Sequence, residues 1–303
     1  MRQRRLHLPQ LEVSAGRFFA GGVSKASSDP KPALKGTHFQ RFGRSKLDNL
    51  FSLNDKVAVV TGGSRGIGAM IARGFIDSGV KTYITSRKLE ELQATESELS
   101  EFGECIAIQS DLSTLDGVTA FADAIKEREP EIHILVNNAG ASWGAPIDEY
   151  PESGWDKVMD LNVKSIFFLT QQLLPVLRAA GNQQDPARVI NISSINALAN
   201  PLMPVYAYAA SKAAVVHMTR HLAADLAREH INVNGIAPGI FHSKMTAGLL
   251  DQFEQQLLAK TPRGRMGEPE DMAGTAIYLS SRASAWVVGH TIVLDGGIIA
   301  AAG

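Results

Sequence analysis

Tyr208 and Lys212 stand four residues apart in the run Tyr208-Ala-Ala-Ser-Lys212. The alanine-rich surroundings favour a helix, and on a helix that spacing sets the two side chains one above the other on one face. An ammonium beside a phenol favours the phenolate and eases loss of the phenolic proton. Such a pair can give a proton to, or take one from, an oxygen on a carbon engaged in hydride transfer. The same pair also fits an ordinary helix face, so the rest of the chain must decide.

A hydride reaction needs a dinucleotide, and the start of the globular region offers a place for one. Lys56 to Val60 is a short β-rich run, followed by Thr61-Gly-Gly-Ser-Arg-Gly-Ile-Gly68. Ala69 to Ser78 then carries apolar residues at helical spacing up to Gly79, and Val80 to Thr85 reads as a second strand. Strand, glycine turn, helix and strand make a βαβ unit. Gly62 can turn tightly, while Gly66 and Gly68 let the backbone approach a pyrophosphate at a helix N-terminus. The second strand ends at Thr85-Ser-Arg-Lys88, with no acidic residue before Glu90. A free ribose 2′-hydroxyl is met by a carboxylate at this place, a 2′-phosphate by positive charge. Arg87 and Lys88, with Arg65 in the glycine turn, therefore favour NADP(H) over NAD(H). The alternative is that Arg87 and Lys88 merely open the next helix on a solvated face.

The pattern continues as alternating helices and strands. Leu89 to Phe102 is helical, Ile106 to Ser110 a third strand leading to Asp111 and Leu112, and Val118 to Arg128 helical again. Asp111 could accept from an adenine amino group or simply cap a helix. Ile132 to Val136 is a fourth strand running into Asn137-Asn-Ala-Gly140, where small residues and carboxamides can brace a sheet beside a cofactor ring. Trp155 to Arg178 reads as one long helix containing Asn162, either a satisfied core carboxamide or a residue that bends the helix and holds a relay water. Val189 to Ile192 is the fifth strand and ends at Ser193 and Ser194; open α/β sheets carry their sites at such strand ends. Ile231 to Asn234 is the sixth strand, Pro269 to Leu279 the last helix, and Thr291 to Leu294 the seventh strand. The fold class is thus α/β, a doubly wound parallel sheet of the Rossmann type in a single domain.

Composition agrees and excludes other classes. The chain has 303 residues, 45% hydrophobic and 20% charged, with a formal net charge of -1. No global basic field argues for nucleic acid, and no apolar run reaches the ~20 residues of a membrane span. Cys105 is the only cysteine and lies in an apolar run, so neither an internal disulfide nor a cysteine zinc site is possible, and no metal is expected. Residues 1–50 differ. Arg2, Arg4, Arg5, Arg17, Lys25, Lys31, Lys35, Arg41, Arg44 and Lys46 face only Glu12, Asp29 and Asp48. This reads as a disordered or loosely attached basic extension, with the globular domain spanning 51–303. A solvated tail on a cytoplasmic protein is the first account; a mitochondrial transit peptide or an upstream start are the others.

Together these motifs resemble the short-chain dehydrogenase/reductase family over about Phe51 to Gly303. The glycine turn 61–68, Asn137 to Gly140, Asn162, Ser194, Tyr208 with Lys212, Pro238-Gly239 and Asp295-Gly-Gly297 carry the resemblance. It implies Tyr208 as acid in reduction and base in oxidation, and Lys212 on the nicotinamide ribose, depressing the Tyr208 pKa. It further implies Ser194 on the substrate oxygen and Asn162 holding a proton-relay water. Gly62, Ser64, Arg65, Gly66, Ile67, Gly68, Arg87, Asp111, Leu112, Asn138, Ala139, Gly140, Pro238, Gly239 and Ser243 would line the cofactor together with Tyr208 and Lys212. One departure stands out: Ser194 precedes Tyr208 by fourteen residues, one more than in most of the family. Ala207 to Lys212, Ser142-Trp-Gly144 and Gln171 to Arg178 resemble the 3-oxoacyl-carrier-protein reductase-like branch linked to rhamnolipid synthesis. Residues 240–265 would then form a mobile lid, and Trp143, Leu202, Met203, Phe241 and Met245 an apolar substrate wall suited to an acyl thioester. A polyol or sugar-acid dehydrogenase is the rival of the same class, and a non-catalytic dinucleotide sensor the rival of another. The family implies a homotetramer or homodimer.

Overall fold

The computed structural model describes residues 49–201, 203–243 and 246–302. All but the last two residues of the expected N-terminal extension, together with Leu202 and Met245, lie outside the described residues. Seven parallel strands, β1 (Val57–Thr61), β2 (Lys81–Ser86), β3 (Cys105–Gln109), β4 (Ile134–Asn137), β5 (Ala187–Ile192), β6 (Ile231–Pro238) and β7 (Thr291–Leu294), form one sheet in the order β3-β2-β1-β4-β5-β6-β7. The order reverses direction between β1 and β4, which opens a crevice at the carboxyl ends of those two strands.

Alternation along the strands supplies both faces. Ala58 and Val60 of β1, Ile134 and Val136 of β4, and Ile190 and Ile192 of β5 face one core. Val59, Leu135 and Val189 face the other. The first core is closed by α1 (Gly66–Asp77), α2 (Leu89–Ser100) and α8 (Pro269–Ser280), the second by α3 (Leu115–Lys126), α5 (Ser165–Ala180) and α6 (Tyr206–Leu226). Strands covered on both sides need continuous apolar runs, which is why they stand out in the sequence. Phe121 of α3 is fully buried in the second core, and truncating such a ring to Ala typically costs about 3–5 kcal/mol. The remaining helices are α4 (Glu152–Met159), α7 (Ala247–Lys260) and α9 (Ile298–Ala301).

Two elements differ from the sequence expectation. The single long helix over 155–178 is instead α4, a π-helical turn over Asp160–Lys164, and α5. The sixth strand does not stop at Asn234 but runs to Pro238, because Gly235 to Pro238 pair with β7 on one side while Gly235 and Ile236 pair with β5 on the other. Cys105 is buried as expected, and burial pushes its thiol up to about 12.

Candidate active site

The predicted site residues converge at the carboxyl ends of the strands. The glycine turn leaves β1, Arg87 follows β2, Asp111 follows β3, Asn138 to Gly140 follow β4, Ser194 follows β5, and Pro238 ends β6. Buried polar bonds hold these ends together. The Thr61 hydroxyl donates to the Val136 carbonyl at 3.2 Å and accepts from the backbone N–H groups of Asn138 and Ala139, each at 2.9 Å. Asn138 Nδ2 donates to the carbonyls of Thr61 (2.8 Å) and Gly62 (3.2 Å). Asn137 and Asn191 lie directly opposite in register, and Asn137 Nδ2 donates to Asn191 Oδ1 at 2.9 Å. Such bonds fix the width of the crevice, since each buried group left alone would cost about 1–3 kcal/mol.

The glycine turn is shaped as a phosphate cradle. Gly62 has φ +66° and Gly66 φ +54°, conformations that L side chains rarely adopt. A Cβ on Gly68 would lie 2.3 Å from the Gly62 carbonyl oxygen and 2.5 Å from Asn138 Nδ2. The start of α1 carries no side-chain cap, whereas α3 is capped by Thr114 and α8 by a capping box. An uncapped start leaves the first N–H groups, those of Gly66, Ile67 and Gly68 beside Ser64, available to an anion. Ser243 closes the turn from the lid side, its Cβ 3.3 Å from where a Gly66 Cβ would be. Arg65 and Lys88 flank the turn and both reach Glu91. Arg87 is exposed beside them. The donor set is what a dinucleotide with a 2′-phosphate requires.

The four catalytic candidates form one cluster. The π-turn places Asn162, fully buried, against the loop after β4. Its Oδ1 accepts from Ala141 N–H at 2.8 Å, and its Nδ2 lies 2.9 Å from both the Ala141 carbonyl and Ser211 Oγ. Ser211 in turn donates to the Tyr208 carbonyl at 2.7 Å. Lys212 is buried and donates from Nζ to the Ile192 carbonyl at 2.8 Å, with Nζ 5.6 Å from the Tyr208 ring centroid. That carbonyl is its sole acceptor among the described residues, which leaves ammonium protons for ribose hydroxyls. A Cβ on Gly140 would meet Asn162 Oδ1 at 3.3 Å and Lys212 Nζ at 3.6 Å, so this glycine keeps the floor of the site open.

Geometry also separates Ser194 and Tyr208 from their neighbours of like chemistry, Ser193 and Tyr206. Ser193 is buried and spends its hydroxyl on the Lys212 carbonyl at 2.8 Å, whereas the Ser194 hydroxyl, which accepts from Asn196 N–H at 3.2 Å, lies near enough to the Tyr208 phenol to favour its ionised form. Tyr206 packs edge-on against Tyr150, with ring centroids 5.7 Å apart. The fourteen-residue interval between Ser194 and Tyr208 includes a 3-10 turn at Ile195–Ala197 and does not keep the two side chains apart. Burial raises the Tyr208 pKa, and the neighbouring Ser194 hydroxyl opposes it. Burial lowers Lys212 to about 8. The electrostatics of the cofactor-free site therefore differ from the expected phenol depressed by lysine: desolvation dominates both groups.

Other expected positions are placed differently. Asp111 is exposed, and its Oδ1 accepts from the backbone N–H and hydroxyl of Ser113 at 3.0 and 2.7 Å, while the cap of α3 is Thr114. The Leu112 side chain is buried in the second core, so only its backbone can face a ligand. The Phe241 ring is buried in the first core against Gly267, where a Cβ would approach it to 2.3 Å. Trp143 lies half-buried on Gly154 with Lys157 Nζ 5.0 Å from its ring, and Met203 is exposed. Pro238 ends β6, and Gly239 N–H donates to the Leu294 carbonyl at 2.9 Å. Sequence reasoning missed Thr61, Ser211 and Glu91. Ser211 stood within the Tyr208 to Lys212 run and Thr61 at the head of the glycine turn, which were the signals available; Glu91 gave none.

A family model described as short chain dehydrogenase matches residues 56–253. The rhamnolipids biosynthesis 3-oxoacyl-[acyl-carrier-protein] reductase of Pseudomonas aeruginosa is 48% identical over 249 residues, covering 82% of this chain and 97% of that protein. Gluconate 5-dehydrogenase of Gluconobacter oxydans is 36% identical over 254 residues, covering 82% of this chain and 97% of its own length. Among solved structures, the Pseudomonas aeruginosa RhlG/NADP active-site complex superposes with a TM-score of 0.79 at 47% identity, over 83% of this chain and 99% of that one.

Proposed function

Since the chain belongs to the short chain dehydrogenase family, we propose that it is an NADPH-dependent reductase that converts the ketone of a 3-oxoacyl thioester to a secondary alcohol. The observation that carries the reading is the joined set Asn162, Ser194, Tyr208 and Lys212 beside an uncapped glycine turn flanked by Arg65, Arg87 and Lys88. The 3-oxoacyl reductase relative and its NADP complex support the substrate and the cofactor.

NADPH, when bound, supplies the hydride to the carbonyl carbon. Gly62, Gly66 and Gly68 with the start of α1 would hold its pyrophosphate, Arg65 and Arg87 its 2′-phosphate, and Lys212 its nicotinamide ribose. Ser194 and Tyr208 present hydroxyls that converge on one carbonyl oxygen. Burial keeps the Tyr208 phenol protonated at neutral pH, so it arrives as an acid and gives its proton to the oxygen as negative charge develops there. Lys212 at about 8 is still largely charged at neutral pH and steadies the phenolate that remains. Asn162 and Ser211 hold α6 and the loop after β4 in register around the oxygen. Trp143 and Met203 offer apolar surface to an acyl chain.

We further propose that residues 51–303 form the catalytic domain and that the basic residues before them play no part in catalysis. A homo-oligomer, a tetramer or a dimer, is supported by exposed Trp286 and Val288 beside edge strand β7. None of the described helices is long and apolar enough to cross a membrane. Initial rates with NADPH against acetoacetyl-CoA, with 5-keto-gluconate as comparison, test the assignment. Turnover of the thioester well above that of the sugar acid is expected; turnover of the sugar acid alone would move the substrate to the gluconate-type relatives and refute the thioester reading.

A further inference from the structure

We propose that Glu91 is a built-in competitor for the cofactor's 2′-phosphate: it occupies Arg65 and Lys88 until NADP(H) binds, and so limits how strongly the enzyme prefers NADP(H) over NAD(H). The inference rests on the NADP(H) reading above and concerns a residue outside the set expected to line the cofactor.

Glu91 Oε2 accepts from Arg65 Nη1 at 2.5 Å while its Oε1 accepts from Lys88 Nζ at 3.0 Å. One carboxylate thus spreads its two oxygens over two cations, a layout that a phosphate with its own oxygens reproduces. The position is built rather than incidental. Thr95 Oγ1 lies 2.7 Å from the Ser64 carbonyl oxygen and 3.0 Å from the Glu91 carbonyl oxygen. Thr95 therefore ties α2 to the glycine turn and fixes Glu91 one helical turn earlier, within reach of Arg65. Glu91 also sits in the first turn of α2, where the helix dipole favours an anion. Arg87, the remaining cation at the end of β2, makes no ion pair among the described residues. An incoming 2′-phosphate would find Arg87 available but would have to draw Arg65 and Lys88 from a carboxylate that also repels it. NADH, with a 2′-hydroxyl, meets no such contest.

The test is a fluorescence titration of NADPH and NADH onto the full chain, with no turnover involved. Glu91→Gln keeps the shape and removes the charge. Glu90→Gln, one residue earlier in the same helical turn, makes no ion pair among the described residues and serves as the charge control. Releasing two exposed pairs should lower the Kd for NADPH about three- to tenfold in Glu91→Gln, with NADH within about twofold. Glu90→Gln should leave both within about twofold. In an Arg65→Ala background the gain from Glu91→Gln should shrink, because one of the cations it would release is gone. Weaker NADPH binding in Glu91→Gln would show that Glu91 positions Arg65 for the phosphate and would overturn the proposal, as would an unchanged Kd or an equal gain for NADH. If the unaltered chain binds both cofactors equally, the NADP(H) reading itself fails.

Discussion

Replacing Asn162 by Ala is expected to damage both stability and turnover, and the structure sets the scale. The carboxamide makes three buried or half-buried contacts, with Ala141 N–H at 2.8 Å and with the Ala141 carbonyl and Ser211 Oγ at 2.9 Å each. Each lost partner costs about 1 kcal/mol when water from the open side of the site can replace it, and up to about 3 when it cannot. Ala141 lies at the crevice, so the lower value applies, and the loss comes to about 3 kcal/mol. For a domain of this size that lowers Tm by about 6–12 °C. The same bonds are what join the loop after β4 to α6, and a misplacement of about 1 Å of catalytic groups costs on the order of 100-fold in rate. Scanning calorimetry, NADPH titration and single-substrate kinetics on the variant separate these effects. The expected result is the lowered Tm, a kcat reduced on the order of 100-fold and a Kd for NADPH changed about threefold or less. Asn162→Asp should fall between, since it keeps the acceptor for Ala141 N–H but sets a carboxylate oxygen against the Ala141 carbonyl. A Tm within about a degree of the unaltered protein, with kcat intact, would refute the idea that this carboxamide holds the site together.

Lys212 loses its proton as pH rises through about 8 in the cofactor-free enzyme, so kcat/KM for NADPH, which reports free-enzyme groups, should fall on the alkaline side with an inflection there; a flat profile well past that point would contradict the assignment. His133 accepts the Val57 N–H on Nδ1 at 3.1 Å, and burial, aided by Lys56, lowers its pKa. The unfolded chain then takes up this proton near pH 6.5 while the folded one does not, so its contribution to stability is complete above that pH and is lost as pH falls, at no more than roughly 1.4 kcal/mol per pH unit. Urea unfolding of His133→Gln across pH 5–7 should show a shallower dependence, and an identical slope would remove the histidine from the account. Arg87→Ala should raise KM for NADPH about tenfold or more and leave that for NADH nearly unchanged; equal increases would argue that Arg87 does not meet the 2′-phosphate.

What could be read from the sequence was local. Gly62 and Gly66 need positive φ, and only glycine supplies it freely, so the turn announced itself by residue type. Tyr208 and Lys212 were legible because a helix fixes the four-residue spacing in space. The burial of Phe241 was not legible because it is decided by Gly267, which the chain brings up only after α7. The irregularity at Asn162 was raised only as a bend, because a single π-turn shifts the apolar stripe by one residue, too little to mark out in a mostly apolar helix. Thr61 and Glu91 are ordinary residues whose roles depend on strands and helices that meet only in the fold.

The disagreement over Tyr208 is the informative one. From spacing alone, an ammonium next to a phenol should lower the phenol's pKa. In the folded chain both groups are desolvated, and desolvation penalises each charged form in the opposite direction: the phenol goes up and the ammonium comes down. The two shifts reverse the order of the pair, leaving the ammonium below the phenol, but both stay above neutral pH, so the phenol remains the acid and the ammonium remains charged beside it. A site prepared in this way does not store a phenolate in advance. It holds a proton on Tyr208 against Ser194 and keeps a cation 5.6 Å from the ring centroid for the moment that proton leaves. Reduction needs that order, and it makes the lysine's value greatest in the transition state rather than before it.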